Sequence, residues 1–313
     1  MALHTILGAN GAVGRELSRA LTAAGYQLRQ VSRHPTREFP TDELVVADLN
    51  HATNTRAAIA GSDVVYLVAG VTYSTAAWHA EWPRIMANVI DGCASSGAAL
   101  VFFDNVYAYG NVSGAMSETT PFNPCSRKGD VRAAIATTLL QAMHAEQVTA
   151  MIVRSPDFYY PSEPGRTTGL LNTIVFDRLR AGQRPQWLGN PDVPHTFSYT
   201  PDVGRSLALL GTNASAFGQT WHALTTVEQH SGRALVRLAC EVAGRDLPLQ
   251  NAPRWIFRAL SLFHGSLREQ VEMLYQYEHP YTFSSAKLEN AFGVMATPYR
   301  DAFGAVLGRA RHG

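Results

Sequence analysis

The first half of the chain alternates short apolar runs with stretches of helical spacing. The runs are His4–Leu7, Tyr26–Val31, Leu44–Ala47, Val64–Val68, Leu100–Phe103 and Ala150–Val153. Between them, Arg15–Ala24, Trp78–Ala94 and Gly129–Ala145 repeat their apolar positions at helical spacing. The alternation predicts an α/β fold with a doubly wound parallel sheet of Rossmann type. Right-handed crossovers then gather the C-terminal ends of the strands on one edge, where a ligand cleft belongs.

Beyond Phe158 the alternation weakens. Gly169–Ala181 reads as a helix, Thr196–Tyr199 as a short strand, and Pro201–Leu210 as a helix with Asp202 near its start. From Glu228 onward the pattern is mostly helical, with the aromatic-rich stretch Trp255–Phe263 and the segment Gly265–Tyr277 ahead of Tyr281–Phe283. The predicted organisation is a sheet unit over 1–158 with 196–225, and a smaller, mostly helical substrate-binding lid over 159–195 with 226–313. No internal repeat is visible.

Composition narrows the class. The 313 residues are 46% hydrophobic and 16% charged, with a formal net charge of +1 and no run of Lys or Arg. That balance predicts neither nucleic acid nor a membrane surface as partner, and leaves a small-molecule substrate. Cys93, Cys125 and Cys240 are odd in number and far apart, as expected of reduced thiols rather than a disulfide frame or a zinc site. No metal site is expected. Met1–Leu7 runs straight into a strand without a charged segment or a long apolar core, so the expectation is a cytoplasmic protein.

The turn after the first run reads Gly8-Ala9-Asn10-Gly11-Ala12-Val13-Gly14 and opens a helix. Glycines at these three positions permit a tight turn, a close approach of backbone to a pyrophosphate, and close packing of helix on strand, with the helix N-terminus facing the anion. At the end of the second run an acidic residue would accept bonds from a ribose 2′-hydroxyl, but the chain has Ser32 and Arg33. A hydroxyl and a positive charge suit a 2′-phosphate, so NADP(H) is the expected cofactor. Otherwise Arg33 is a solvated loop residue.

With the glycine turn in place, further segments follow in an order that resembles the extended short-chain dehydrogenases/reductases, which include nucleotide-sugar epimerases and dehydratases. Asp48-Leu49 is similar to the family's pair beside the adenine, and Val68-Ala69-Gly70 to the turn beneath the cofactor. Tyr109-Gly110 is similar to the end of the family's Ser-x-x-Val-Tyr-Gly segment. The stretch Arg154-Ser155-Pro156-Asp157-Phe158-Tyr159-Tyr160-Pro161 resembles the one beside the nicotinamide, which implies cofactor contacts from Ser155, Pro156 and Phe158. His195–Val203 resembles the strand that leads into an Asp-capped helix.

The resemblance breaks at the chemistry. The family uses a Tyr as proton donor, a Lys four residues later, and a Ser or Thr at the end of the fifth strand. Counting back from Gly110, the Ser position holds Asn105, which can still donate a hydrogen bond to a carbonyl. Lys128 takes the place of the ribose-binding Lys, and Pro124 stands where the Tyr belongs. A shifted register would not restore it, because no Tyr lies between Gly110 and Lys128. The chain is thus similar to atypical members that lack the acid. Tyr107 is the first candidate for a displaced acid, or else a packed strand-end aromatic. Tyr159, Tyr160 and His195 are candidates for the substrate pocket, or else aromatic wall and structural histidine; Asp104 is a proton shuttle or a cap on a backbone N–H.

Trp187, Trp255, Phe257, Phe263, Tyr275 and Tyr277 fall in the lid without clustered Arg that would grip a diphosphate. They build a hydrophobic pocket or simply the lid's core. The leading expectation is an NADPH-dependent oxidoreductase, a ketoreductase acting on a hydrophobic or aromatic carbonyl compound, with Asn105, Tyr107 and Lys128 in its catalytic centre. The alternatives are a non-catalytic NADP(H)-sensing protein, and an epimerase or dehydratase with tightly held NAD. Trp78–Ala94 and Gly129–Ala145 offer a face for a homodimer or a cover for a monomer's sheet.

Overall fold

The computed structural model describes residues 2–161, 169–252 and 269–308. Two compact units emerge: one of Met1–Ala108, Arg127–Ser155 and Val203–Ala223, the other of Tyr109–Ser126, Pro156–Asp202 and Leu224–Gly313.

The first unit holds β1 (Leu3–Leu7), α1 (Ala12–Ala23), β2 (Gln27–Ser32), β3 (Glu43–Val46), α2 (Ala52–Ile59), β4 (Val64–Leu67), α3 (Thr75–Ser96), β5 (Ala99–Asp104) and α4 (Arg127–His144). The strands Ala150–Arg154 and Thr220–His222 and most of the helix Thr200–Gly211 complete it. Seven strands form one sheet, in the order Thr220–His222, Ala150–Arg154, β5, β4, β1, β2, β3. Every pairing is parallel. This is the doubly wound Rossmann arrangement that the alternation predicts, and each of the six apolar runs is a strand to within a residue or so. Chain order reverses between β1 and β4, whose registers align Leu7 with both Val31 and Leu67. That reversal opens the sheet's C-terminal edge at Gly8.

Two features escape the sequence pattern. Helix α2, Ala-rich and without an apolar stripe, is one. The other is the three-residue strand Thr220–His222, too short to show a period. Among the described residues no helix is long and apolar enough to cross a membrane.

One carboxylate organises the sheet edge. Asp104, the last residue of β5, is buried and accepts from Arg132 Nε of α4 at 2.7 Å, from Arg154 Nε at 3.2 Å and from the Asn105 N–H at 2.8 Å. Asp104 and Arg154 face each other in register across adjacent strands. The Arg132 guanidinium also lies over the rings of Trp82 (4.4 Å), Phe102 (5.2 Å) and Trp78 (5.7 Å). Buried charge is tolerated here because it is paired, hydrogen-bonded and covered by aromatic faces.

In the second unit a core gathers Tyr159, Phe176, Trp187, Phe197, Tyr277, Tyr299 and Phe303. Short parallel strand pairs join Phe158–Tyr159 to Ser198–Tyr199, Gln186–Leu188 to Gln250–Ala252, and Ala115–Met116 to Thr282–Phe283. The helix expected over Gly169–Ala181 widens into a π turn at Asn172–Phe176 before Asp177–Arg180. The buried Asn172 amide at its start accepts from the Tyr160 N–H at 3.1 Å and donates to the Tyr160 carbonyl at 2.8 Å. The stretch Trp255–Phe263, with Trp255, Phe257 and Phe263, lies outside the described residues.

Each unit buries a histidine. His4 of β1 is 2% exposed, bonds Tyr66 Oη through Nδ1 at 3.0 Å and lies 4.4 Å from the Tyr26 ring; burial lowers its pKa to about 4. His195, stacked on Tyr277 and Tyr281, bonds the Gln276 carbonyl through Nδ1 at 3.1 Å, and burial lowers its pKa to about 3. A folded-state pKa below the unfolded value of 6.5 means that the unfolded chain binds the extra proton first. Stability is therefore full above about pH 6.5 and falls as pH drops toward the folded values, by up to about 1.4 kcal/mol per pH unit for each imidazole. Urea midpoints at pH 7 and pH 5 should differ less in His4→Gln or His195→Phe than in the wild type. Replacing Asp104 by Leu should cost about 3–5 kcal/mol in the same assay, because it strips a buried carboxylate from two guanidiniums.

Candidate nucleotide and catalytic site

The glycine turn is shaped by what cannot fit in it. Gly8 has φ +97°, and a Cβ there would lie 2.3 Å from Ala69 Cα in the turn that follows β4. A Cβ on Gly14 would lie 2.7 Å from the Ala9 carbonyl oxygen. Gly8 and Ala9 donate their N–H groups to the Val31 carbonyl, and Val68 donates to Leu7, so the turns after β1 and β4 are tied at the sheet's C-terminal edge. Gly11 precedes α1, and among the described residues no side chain caps that helix. The first-turn N–H groups of Ala12, Val13 and Gly14 thus form, with the bare turn, a cradle for a pyrophosphate. The residues present fit a dinucleotide.

Asn10 ties this cradle to the loop after β2. Its Nδ2 donates to the His34 carbonyl at 2.6 Å, and its Oδ1 accepts from the Thr36 N–H at 3.2 Å. Ser32 Oγ accepts from the His34 N–H at 3.1 Å, and Arg33 beside it is exposed. Across the same edge, Asp48 Oδ1 accepts from the N–H and Nδ2 of Asn50, bonds that hold its carboxyl below the usual range. Leu49 is buried.

At the end of β5, Asn105 receives the Tyr107 N–H on its Oδ1 at 3.0 Å. With the oxygen engaged, the amide presents its Nδ2 as the donating end. Tyr107 is half-buried and stacks on Trp78 of α3, ring centres 6.1 Å apart and planes at 15°. Lys128, in the first turn of α4, is completely buried. Its Nζ donates to Thr75 Oγ1 at 3.1 Å and lies 4.8 Å from the centre of the Tyr73 ring. Ser155 follows the Ala150–Arg154 strand and donates its N–H to the Asp104 carbonyl at 3.1 Å.

The structure thus gathers Gly8, Asn10, Gly11, Ala12, Val13, Gly14, Ser32, Arg33, Asp48, Leu49, Val68, Ala69, Gly70, Asn105, Tyr107, Lys128 and Ser155 in the first unit. Pro156, Phe158, Tyr159, Tyr160 and His195 belong to the second. There Tyr159 is 1% exposed within the aromatic core, and burial raises its pKa. His195 Nε2 stands 3.9 Å from Asp157 Oδ2, which accepts from Tyr277 Oη at 2.5 Å; burial raises the Asp157 carboxyl.

Sequence reasoning passed over Tyr73, Thr75, Trp78 and Arg132. The only local signal at the first two was Ser74, a residue type favoured at N-caps, whose Oγ indeed accepts from the Ala77 N–H at 3.1 Å. Arg132 carried a weaker sign, standing one helical turn after Lys128 on the face that packs inward.

Comparison with solved structures places this fold among known ones. A UDP-glucose 4-epimerase from Thermus thermophilus in complex with NAD superposes with a TM-score of 0.78 at 16% identity, over 99% of each chain. The DesIV double mutant, a dTDP-glucose 4,6-dehydratase from Streptomyces venezuelae with NAD and DAU bound, gives 0.78 at 16%, over 98% of this chain and 96% of that one. Pal from Bacillus thuringiensis gives 0.80 at 16%, over 98% of both. At such identities the likeness is one of fold. No curated protein matches the chain. The model of the NAD dependent epimerase/dehydratase family matches residues 4–221. The chain belongs to the NAD dependent epimerase/dehydratase family.

Proposed function

We propose that the first unit binds a nicotinamide dinucleotide, with NADP(H) preferred, and that the protein reduces the carbonyl group of a hydrophobic or aromatic small molecule. The observation that carries the reading is the bare cradle of Gly8, Gly11 and Gly14 against Ala69, joined through Asn10 to a loop that offers Ser32 and the exposed Arg33 in place of a carboxylate. The cradle takes the pyrophosphate and the loop takes a 2′-phosphate. Asp48 and Leu49 lie on the adenine side, Val68, Ala69 and Gly70 run beneath the cofactor, and Lys128 bonds the nicotinamide ribose. When bound, the reduced dinucleotide supplies hydride to the carbonyl carbon.

Asn105 does the work of the family's strand-end hydroxyl. Its oxygen is held by the Tyr107 N–H, so its Nδ2 is a fixed donor to a carbonyl oxygen that gains charge as reduction proceeds. Tyr73, Trp78 and Tyr107 form an aromatic wall beside it, with Tyr73 on the edge of Trp78 at 5.7 Å and Tyr107 on its face. Such a wall favours an apolar substrate body.

A second reading has support in the solved structures that hold NAD: an epimerase or dehydratase in which retained NAD is reduced and reoxidised within one turnover. Ser32 and Arg33 weigh against it.

Fluorescence titration of the purified protein should show NADPH binding at least tenfold tighter than NADH, and Arg33→Ala should erase most of that difference, about 1.4 kcal/mol or more. NAD carried through purification would favour the second reading; binding of neither nucleotide would overturn both. In a screen of hydrophobic ketones, Asn105→Ala should lower kcat about 100-fold and leave the NADPH dissociation constant unchanged. Equal loss of both, or no loss, would remove Asn105 from the role given to it.

A further inference from the structure

Reducing a carbonyl takes a proton as well as a hydride, and Pro124, four residues before Lys128, has none to give. The phenol that meets Lys128 comes from elsewhere in the chain. We infer that Tyr73, in the loop between β4 and α3, is the catalytic acid of the reaction proposed above. The inference rests on that reductase reading.

Lys128 Nζ lies 4.8 Å from the centre of the Tyr73 ring, and the same ammonium donates to Thr75 Oγ1. The phenol and the group that anchors the cation thus stand two residues apart on one short segment. That segment is itself fixed: the Ser74 N–H donates to the Thr72 carbonyl at 2.7 Å, and Ser74 caps α3. Its other end leaves the cofactor cradle at Ala69, the residue pressed against Gly8. The Trp78 indole meets the Tyr73 ring edge-on and stacks on Tyr107, whose N–H is held by Asn105. A continuous row therefore runs from Lys128 through Tyr73, Trp78 and Tyr107 to Asn105.

Tyr73 also differs from the other phenols in access. The residue is 41% exposed, whereas Tyr107 is half-buried on Trp78, and Tyr66 is wholly buried beside His4. An acid must reach the substrate oxygen and regain its proton afterwards. In the step proposed, the carbonyl carbon receives hydride from the reduced dinucleotide while the O–H bond of Tyr73 breaks and a new O–H bond forms on the substrate oxygen. The carbonyl becomes an alcohol, the dinucleotide leaves oxidised, and Tyr73 remains as phenolate beside the Lys128 ammonium until water returns the proton. An adjacent positive charge stabilises that phenolate.

Tyr73→Phe keeps the ring, its contact with Trp78 and the face below Lys128. It should lower ketone turnover at least 100-fold and leave NADPH affinity within twofold. A readout on the cofactor-free protein is independent of turnover: tetranitromethane attacks phenolates, so peptide mapping should find Tyr73 nitrated several times faster in the wild type than in Lys128→Met. Wild-type turnover in Tyr73→Phe, or equal nitration rates, overturns the assignment. Loss of turnover in Tyr107→Phe alone assigns the acid to Tyr107 and leaves the reductase reading intact. Should the wild type bind NADPH yet reduce no ketone, the reductase reading fails and Tyr73 loses its role as acid, whatever its nitration rate.

Discussion

The first unit turns on the Asp104 carboxylate. Placed at the end of β5, one strand removed from the chain-order reversal, it binds Arg132 from α4 and Arg154 from the neighbouring strand, and it accepts the N–H of Asn105. Arg132 stands one helical turn beyond Lys128, so the ion pair that seats α4 also sets where Lys128 enters. The guanidinium in turn lies over Trp82 and Trp78, which fixes the inner face of α3 and with it the segment that carries Tyr73 and Thr75. A buried ion cluster adds little net stability over a well-packed apolar one, but removing any one partner leaves the others buried and uncompensated. Here the cluster aligns the donors at the sheet edge.

The opposite side of the edge is governed by the absence of side chains. Gly8 and Gly14 let two turns and a helix approach closely enough that only backbone lies between them. Asn10 then couples this cradle to the loop after β2. The glycine turn and the loop after β2 are thus parts of one hydrogen-bonded unit.

The sheet was legible in the sequence because short, largely apolar runs alternate with stretches of helical spacing, and because Gly8, Gly11 and Gly14 sit where strand gives way to helix. The second unit was less so: its strands are two- or three-residue pairings whose partners are remote in sequence, and Asn172 at its π turn bonds Tyr160, twelve residues earlier. At the candidate site, fixed spacing singled out Asn105 and Lys128. Tyr73 and Trp78 had no such signal, because their nearness to Lys128 and Tyr107 is created by contacts between segments remote in sequence. Chemistry that has left a motif can be found only where the fold brings its replacement.

On the proposed reading, the glycine turn after β1 and the loop after β2 together hold a phosphorylated dinucleotide. A crystal structure of the protein with NADPH tests it most directly. The pyrophosphate is expected on the N–H groups at the start of α1 and the 2′-phosphate against Ser32 and Arg33. A dinucleotide bound elsewhere, or bound here with its 2′-phosphate turned away from Ser32 and Arg33, would contradict it.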